Sequence, residues 1–349
     1  MCASLKVFMC EATSRAGSRT GGINMLKSGR RAFLKTGVLS AASLGTLGAV
    51  EGGGLLAKGE KVPPMNAAPS PPPFKLGLVT YNLAKDWDID TIIKNCEETG
   101  FEGVELRTTH KHGVEISLNK AQRAEVKQRF AASRVRLMSL GTTCEYESPD
   151  PAVVEKNIEE TRRWCELAQD LGCVGVKVRP NGFPKGVPED KTLDQIGHAL
   201  ARCGDIARDH GVEIWLEVHG QGTMLPPNTH RILSVANHPA VGACWNSNDT
   251  DVVDGSVKAS FDLLKPWIRS CHINELCRTL SPWGSGLMTS ETTQPGFPQW
   301  QKPYPWSELF TLLRSIKYDR YTYAEVPESC EPIRFMHYYR ALWQYHAAL

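Results

Sequence analysis

No pair of cysteines in this chain has the CxxC spacing of a zinc site, although the sequence contains 11 cysteines. Most of them lie among apolar residues, where a thiol behaves as a small buried hydrophobic group. These are Cys96, Cys144, Cys165, Cys173, Cys203, Cys244 and Cys271. The cysteines therefore indicate neither a structural zinc site nor a disulfide framework.

The chain also lacks a long hydrophobic run. The weakly apolar stretch 38–50 is too short and too rich in glycine to span a bilayer stably. We therefore expect no stable membrane span once a signal segment has been removed.

The chain also lacks a large net charge, because its basic and acidic residues nearly balance at a formal net charge of +2. Residues 1–57 hold seven of the 40 Lys and Arg residues and two of the 38 Asp and Glu residues. The rest of the chain keeps 33 basic and 36 acidic residues, a net charge of −3. This balance gives no electrostatic footprint for nucleic acid, so we expect no nucleic-acid partner.

The N-terminal segment has the order of an export signal. Residues 28–35 read SGRRAFLK, and the weakly apolar stretch 38–50 follows. This order resembles a twin-arginine export signal. We therefore expect residues 1–57 to be an N-terminal extension and twin-arginine signal peptide, and the mature protein to be periplasmic or otherwise exported. Residues 58–73 are rich in Pro and Ala and are predicted to form a linker.

Residues 74–349 show a repeated alternation of strand and helix patterns, which predicts an α/β fold with a parallel sheet. Eight strands are predicted, at 75–81, 103–107, 136–141, 173–179, 213–219, 241–246, 268–274 and 321–326. Eight units in a segment of this length are typical of a single (β/α)₈ TIM barrel. A doubly wound open sheet is the competing architecture. It is disfavoured because no GxGxxG follows the first strand.

Two of the helices are marked by apolar residues at intervals of three and four. The first repeat ends before Gly172, which is placed as a C-terminal cap, and the second ends at Gly211. The repeating positions are Val154, Ile158, Thr161, Cys165 and Ala168, and then Leu193, Ile196, Leu200, Cys203 and Ala207.

Four polar residues each end a separate short apolar run. They are Glu217 in EIWLE, Asn246 in ACWN, His272 in IRSCH and Glu325 in YTYAE. The carboxyl ends of barrel strands meet at one mouth, where such barrels carry their chemistry. Two carboxylates, an amide oxygen and an imidazole suit one divalent ion such as Mn²⁺, Mg²⁺, Co²⁺ or Zn²⁺.

The order of these residues resembles a known group. A strand-ending Glu, then NSND, then HINE followed by Arg278, then a final-strand Glu is similar to the xylose-isomerase-like TIM-barrel superfamily. That superfamily includes sugar isomerases, ketose 3-epimerases and endonuclease IV-type repair enzymes, and the pattern is closest to the ketose 3-epimerases. The resemblance implies that the four residues hold one metal ion, that Glu217 and Glu325 are also catalytic in proton transfer, and that Arg278 contacts substrate oxygens.

The sequence departs from the epimerase pattern at two positions. Asn246 stands where an aspartate is usual, which removes one negative charge from the ligand set. Asp249 stands where the epimerases usually have a substrate-binding histidine, so it becomes a substrate-binding candidate.

A second polar cluster follows the second predicted strand in VELRTTHKHGVE. Glu105 and Arg107 lie on one face of that strand, and His110 and His112 follow in its loop at the same mouth. Arg107 is predicted to hold a carboxylate or hydroxyl groups, and the histidines to contact substrate. A second metal at the HxH pair and a purely structural loop are the alternatives.

Other substrate-binding candidates lie at the ends of neighbouring strands. His219 comes two residues after Glu217, so it either contacts substrate or supports a ligand. Lys177 at the end of the fourth strand is a weaker candidate, together with Arg179 and Asn181. Trp283, Trp300 and Tyr304 in the long segment after the seventh strand either stack on a sugar or form a contact in a homo-oligomer.

Three functions are compatible with this sequence. The first is an exported, metal-dependent sugar isomerase or epimerase with a small-molecule carbohydrate substrate, in which a glutamate pair transfers protons beside a metal-chelated carbonyl. The second is a lyase or hydrolase that acts on 3-keto sugars or glycosides with the same metal site. The third is a carbohydrate-binding barrel without catalysis.

Overall fold

The protein forms a closed barrel of eight parallel strands in the order β1 to β8, as a computed structural model shows. The structure describes residues 72–274, 276 and 304–348. The predicted signal peptide and nearly all of the predicted linker therefore lie outside the described residues. The predicted (β/α)₈ TIM barrel is confirmed.

Every strand pairs in parallel with its two neighbours, and β1 pairs with β8 to close the barrel. The strands are β1 (Lys75–Val79), β2 (Gly103–Arg107), β3 (Arg136–Gly141), β4 (Gly175–Val178), β5 (Glu213–Glu217), β6 (Val241–Asn246), β7 (Ile268–Ile273) and β8 (Tyr321–Ala324). The sequence pattern predicts all eight, and the bounds of β2, β3 and β6 agree residue for residue. The other predicted strands extend one or two residues too far, mostly into the polar residues at the mouth.

Helices connect successive strands and surround the barrel. They are α1 (Tyr81–Ala84), α2 (Ile89–Thr99), α3 (Lys120–Ala131), α4 (Pro151–Leu171), α5 (Glu189–Asp209), α6 (Pro226–Ala236), α7 (Lys258–Leu264), α8 (Trp306–Ser315) and α9 (Pro332–Ala348). Their apolar faces pack on the outer face of the sheet in one hydrophobic core. No helix in the described ranges is both long and apolar enough to cross a membrane.

The two predicted helices correspond to α4 and α5, and all ten predicted apolar positions are buried. Asp150 caps the start of α4 by accepting a hydrogen bond from the backbone N–H of Ala152. Gly172 ends α4 in the left-handed conformation at φ 79°, and its N–H bonds to the carbonyl of Ala168. The seven cysteines predicted to behave as buried apolar groups are all buried and free.

Large aromatic rings fill the lower part of the barrel where strand glycines leave room. A Cβ atom on Gly175 would lie 2.4 Å from the ring of Trp215, and one on Gly77 would lie 2.5 Å from the ring of Tyr323. Tyr321 lies over Gly103 in the same way. Glu217 comes two residues after Trp215 and Glu325 two residues after Tyr323, so each carboxylate follows a ring on the same face of its strand and lies nearer the mouth of the barrel.

Candidate metal centre

Three of the four predicted ligands meet at the mouth of the barrel. Glu217 ends β5, His272 lies in β7, and Glu325 directly follows β8. His272 Nδ1 lies 3.4 Å from Glu217 Oε1 and 3.6 Å from Glu325 Oε2. One donor atom from each of the three residues lies within 4.8 Å of the others. The strand ends thus gather two carboxylates and one imidazole around a single point.

Asn246 ends β6 beside this group and is also buried. Its Oδ1 accepts a hydrogen bond of 2.8 Å from Asn274 Nδ2, which fixes the amide orientation. An amide oxygen has two lone pairs, so one remains for a further ligand interaction. Asn246 therefore brings an oriented neutral oxygen to the site rather than a third carboxylate.

The chemistry of these donors fits a divalent cation. Neither ring nitrogen of buried His272 has a well-aligned hydrogen-bond partner among the described residues. Burial acts to lower the pKa of His272, but Cys244, Glu105 and Glu325 together raise it well above its ordinary value. The pocket therefore favours positive charge at the imidazole, and a bound metal ion would supply that charge in place of a proton.

Glu105 lies on the far side of the imidazole and is fully buried on β2. Its Oε1 is 3.2 Å from His272 Nε2, without the alignment of a full hydrogen bond, and its Oε2 accepts a 2.9 Å hydrogen bond from Ser139 Oγ. Burial opposes ionisation, but His272 and Lys177 outweigh it and lower the pKa of Glu105. A carboxylate in this position favours the proton on Nε2 and leaves Nδ1 free as a ligand.

Lys177 places a cation at the floor of the site. Its Nζ donates a 2.6 Å hydrogen bond to Glu217 Oε2, and both side chains are almost completely buried. Burial disfavours both charges, yet the pair holds the pKa of Glu217 well below and the pKa of Lys177 above their ordinary values. The sequence predicts Lys177 as a substrate contact, whereas its strongest contact in the structure is with a candidate metal ligand.

A cavity of about 610 Å³ opens above these residues. Lys177, Glu217, Asn246 and Glu325 line it, as do the predicted substrate contacts Arg107, Arg179, His219 and Asp249. Tyr81, Asn82, Met224, Asn248 and Asn274 also line the cavity. Arg278 lies outside the described residues, as do Trp283 and Trp300.

The two histidines of the second cluster are not among the residues that line this cavity. His112 Nδ1 accepts a hydrogen bond from the backbone N–H of Val114, so its Nε2 donates to the carbonyl of Arg107, 2.9 Å away. His110 Nδ1 lies 3.0 Å from the hydroxyl of Thr80. Both nitrogens of His112 are thus used inside the protein, which favours the structural-loop alternative over a second metal at this pair.

Tyr81 and Ser139 are site residues that the sequence reading misses. Tyr81 belongs to a short helix that directly follows β1, in a segment that reads as the end of a strand. Ser139 pairs with Glu105 across β2 and β3 because the register shifts by one residue between Val104 and Glu105, and the predicted strand bounds do not show this shift.

Comparison with known proteins agrees with this architecture. A model of the family described as xylose isomerase-like TIM barrel matches residues 93–339. No curated protein sequence matches this chain. The comparisons therefore bear on the fold and the family.

Among solved structures, 3-keto-D-glucoside 4-epimerase from E. coli has 15% sequence identity and a TM-score of 0.60, covering 78% of this chain and 99% of its own. D-psicose 3-epimerase from Clostridium cellulolyticum, solved with D-tagatose, has 14% identity and a TM-score of 0.61, with 78% and 99% coverage. The IOLI protein, solved with a bound zinc atom, has 18% identity and a TM-score of 0.59, with 78% and 96% coverage. At these identities the likeness establishes the fold.

Proposed function

This chain belongs to the xylose isomerase-like TIM barrel family, and we propose that it is a metal-dependent enzyme that moves a proton beside a carbonyl group of a carbohydrate. The observation that carries the proposal is the cluster of Glu217, His272 and Glu325 donor atoms within 4.8 Å at the edge of a large cavity. The structural likeness to a 3-keto-D-glucoside 4-epimerase and a D-psicose 3-epimerase supports a carbohydrate substrate.

The metal ion would be held by Glu217, His272, Glu325 and the oriented oxygen of Asn246. When bound, such an ion would supply Lewis-acid chemistry for a substrate carbonyl and for the negative charge that develops on the carbonyl oxygen. The structurally similar IOLI protein was solved with a bound zinc atom, which supports a metal ion in a protein of this fold.

The two glutamates differ in their freedom to accept a proton. Glu217 Oε2 is occupied by the ammonium of Lys177. Glu325 has a side chain that is 14% exposed and lines the cavity, and its ion-pair partner among the described residues is His272, 3.6 Å away. We therefore assign Glu325 as the general base that removes the proton. In an epimerisation, Glu217 would return a proton to the opposite face of the substrate carbon. General acid–base catalysis of this kind typically contributes about 10²–10⁴-fold to the rate.

Deuterium exchange tests the proton transfer directly. Protein loaded with Mn²⁺, Co²⁺, Mg²⁺ or Zn²⁺ is incubated in D₂O with free ketoses and 3-keto sugars, and deuterium at the carbon next to the carbonyl is measured by NMR. We expect exchange in the wild type and a loss of at least about 10²-fold in Glu325→Gln. Exchange at the wild-type rate in Glu325→Gln would contradict the assignment of the base.

A lyase acting on 3-keto sugars or glycosides is the second candidate. The pairing of Glu217 with Lys177 favours it, because the ammonium occupies one oxygen of Glu217 whereas epimerisation needs two proton-transfer groups. Abstraction of the same proton would then be followed by loss of a leaving group from the neighbouring carbon. Product analysis separates the two reactions, since an epimer retains all atoms of the substrate and elimination releases an alcohol or a second sugar.

We also propose that the enzyme is exported and acts on carbohydrate without a phosphate group. The twin-arginine pattern at residues 28–35 supports export, and phosphorylated sugars are largely confined to the cytoplasm. Expression of the full chain with Arg30→Lys and Arg31→Lys substitutions tests this. Accumulation of the uncleaved form inside the cell is the expected result, and unchanged export would contradict it.

A further inference from the structure

The cavity wall contains a cation that has no partner among the residues that the structure describes. Three side chains with permanent or near-permanent positive charge line the cavity, and two of them have carboxylate partners: Lys177 pairs with Glu217, and Arg179 pairs with Glu145. The guanidinium of Arg107 has no ion pair and no hydrogen bond from its side chain to the described residues. The five N–H donors of this half-buried guanidinium are therefore available to a ligand in the cavity.

Arg107 is held in place although it has no charged partner in the described ranges of the chain. Its guanidinium carbon lies 5.2 Å from the centre of the Tyr81 ring, within the range of a cation–π contact. Tyr81 itself lines the cavity, so the ring provides a platform that orients the planar guanidinium at the wall. Such stacking restricts the side chain before a ligand binds, which lowers the entropic cost of binding.

The backbone of Arg107 is fixed on both sides as well. Its N–H donates a 3.0 Å hydrogen bond to the hydroxyl of Thr80, which is itself 3.0 Å from His110 Nδ1. Its carbonyl accepts the hydrogen bond from His112 Nε2. Burial and the nearby Arg107 charge lower the pKa of His110 to about 4, so this ring is neutral near pH 7 and adds no second positive charge. The two histidines therefore help to fix the backbone of Arg107.

From this geometry we infer that Arg107 binds a carboxylate of the substrate, and that the substrate is a sugar acid rather than a neutral ketose. The inference rests on the proposed function, because it places a second substrate group in the same cavity as Glu217 and Glu325. The planar fork of a guanidinium matches a carboxylate through two parallel hydrogen bonds. One unpaired guanidinium balances the single charge of a carboxylate, whereas a phosphate carries about 1.5 to 2 negative charges at pH 7.

Binding of matched acid and amide ligands tests this inference. The full chain, both loaded with Mn²⁺ and after treatment with a chelator, is titrated calorimetrically with uronic and aldonic acids and with the amide of each acid. The amide has nearly the same shape and lacks the charge. We expect at least one acid to bind about tenfold or more tightly than its amide, because charge-assisted hydrogen bonds are about twice as strong as neutral ones.

Substitutions assign the preference to Arg107. Arg107→Gln should bring acid and amide to equal affinity, and Arg107→Lys should retain part of the preference. Arg129→Gln, at an exposed position of α3, should leave it unchanged. Equal affinity for acids and amides in the wild type, or an acid preference that survives in Arg107→Gln, would overturn the inference. Tighter binding of a sugar phosphate that depends on Arg107 would also overturn it, in favour of a phosphate site.

The results also separate this inference from the proposed function. Deuterium exchange on a neutral ketose together with no acid preference would reject the carboxylate site and leave the metal-dependent enzyme in place. Acid preference that depends on Arg107, with no deuterium exchange for any keto sugar or keto acid, would retain the carboxylate site and reject the enzyme.

Discussion

Lys177 and Glu217 form an ion pair at the floor of the cavity, with 2.6 Å between Nζ and Oε2 and exposed side-chain fractions of 4% and 3%. The pair joins the ends of β4 and β5, which are adjacent in the barrel. Glu217 therefore has one oxygen bound to an ammonium and the other facing His272. A metal ion at this site would share the carboxylate of Glu217 with the ammonium of Lys177.

Lys177→Met should destabilise the metal-free protein, because it leaves the charge of Glu217 buried without a partner. Removing one member of a buried pair typically costs about 3–5 kcal/mol. Addition of Mn²⁺ should then raise the melting temperature by more in Lys177→Met than in the wild type, since the metal ion replaces the lost positive charge. Thermal unfolding with and without metal measures both effects, and Lys120→Met at an exposed position of α3 is the control. An equal metal-induced shift in both proteins would argue against a metal at Glu217.

Glu105→Gln should weaken metal binding while the fold is retained. The carboxylate of Glu105 lies 3.2 Å from His272 Nε2 and favours the tautomer with a free Nδ1. The substitution removes this negative charge. Losses of this kind typically reduce metal affinity by about 10–100-fold. Competition with a chromogenic chelator measures the affinity. Glu102→Gln, exposed directly before the same strand, should bind metal as the wild type does. Unchanged affinity in Glu105→Gln would remove Glu105 from the site.

Asp251→Asn should stabilise the protein increasingly as the pH rises. Burial raises the pKa of Asp251 to about 8, although hydrogen bonds from the N–H of Asn248 and the hydroxyl of Tyr304 act against this. The folded state therefore keeps a proton that the unfolded chain loses near pH 4. The stability that this proton confers is complete below about pH 4 and is lost progressively up to about pH 8.

Melting temperatures between pH 4 and pH 9 test this linkage. Asparagine cannot ionise, so the advantage of Asp251→Asn over the wild type should grow from pH 5 to pH 8 and then level off. Asp319→Asn, at an exposed position before β8, should show no such trend. A difference that does not change with pH would show that Asp251 is ionised in the folded protein.

Gly175→Ala should destabilise the barrel by about 1–3 kcal/mol, the usual cost of overpacking a core. The added methyl group would lie 2.4 Å from the indole ring of Trp215. Replacement of the indole in Gly175→Ala/Trp215→Phe should recover part of the lost stability, which denaturant unfolding can measure. If the single substitution is neutral, the rings are not packed against the strand glycines as described.

The sequence predicts the barrel well because each strand carries its own local signal. Continuous apolar runs such as that of β6 are buried on both faces of a parallel sheet, and helices between them follow the 3.6-residue period. Strand ends are predicted less well at β1 and β8. There the polar residues of the mouth continue an extended pattern, and Tyr81 begins a helix that only the three-dimensional contacts define.

The candidate site is predictable as far as strand ends determine it. Glu217, Asn246, His272 and Glu325 are found by their position after apolar runs, and the closed barrel brings them to one mouth. The role of a residue in a loop is not encoded in this way. His112 has a polar side chain beside the mouth, yet its orientation depends on the backbone of Arg107 and Val114, which the sequence spacing does not reveal.

Metal content of the mature protein, measured by elemental mass spectrometry, tests the central claim most directly. We predict about one equivalent of Mn, Co, Mg or Zn in the wild type and its loss in Glu217→Gln/Glu325→Gln, with the variant still folded by circular dichroism. Arg202→Gln/Glu155→Gln removes an exposed arginine and carboxylate pair elsewhere on the barrel and should keep its metal. A wild-type protein that binds no divalent metal even after reconstitution would contradict the proposed metal centre and favour a carbohydrate-binding barrel without catalysis.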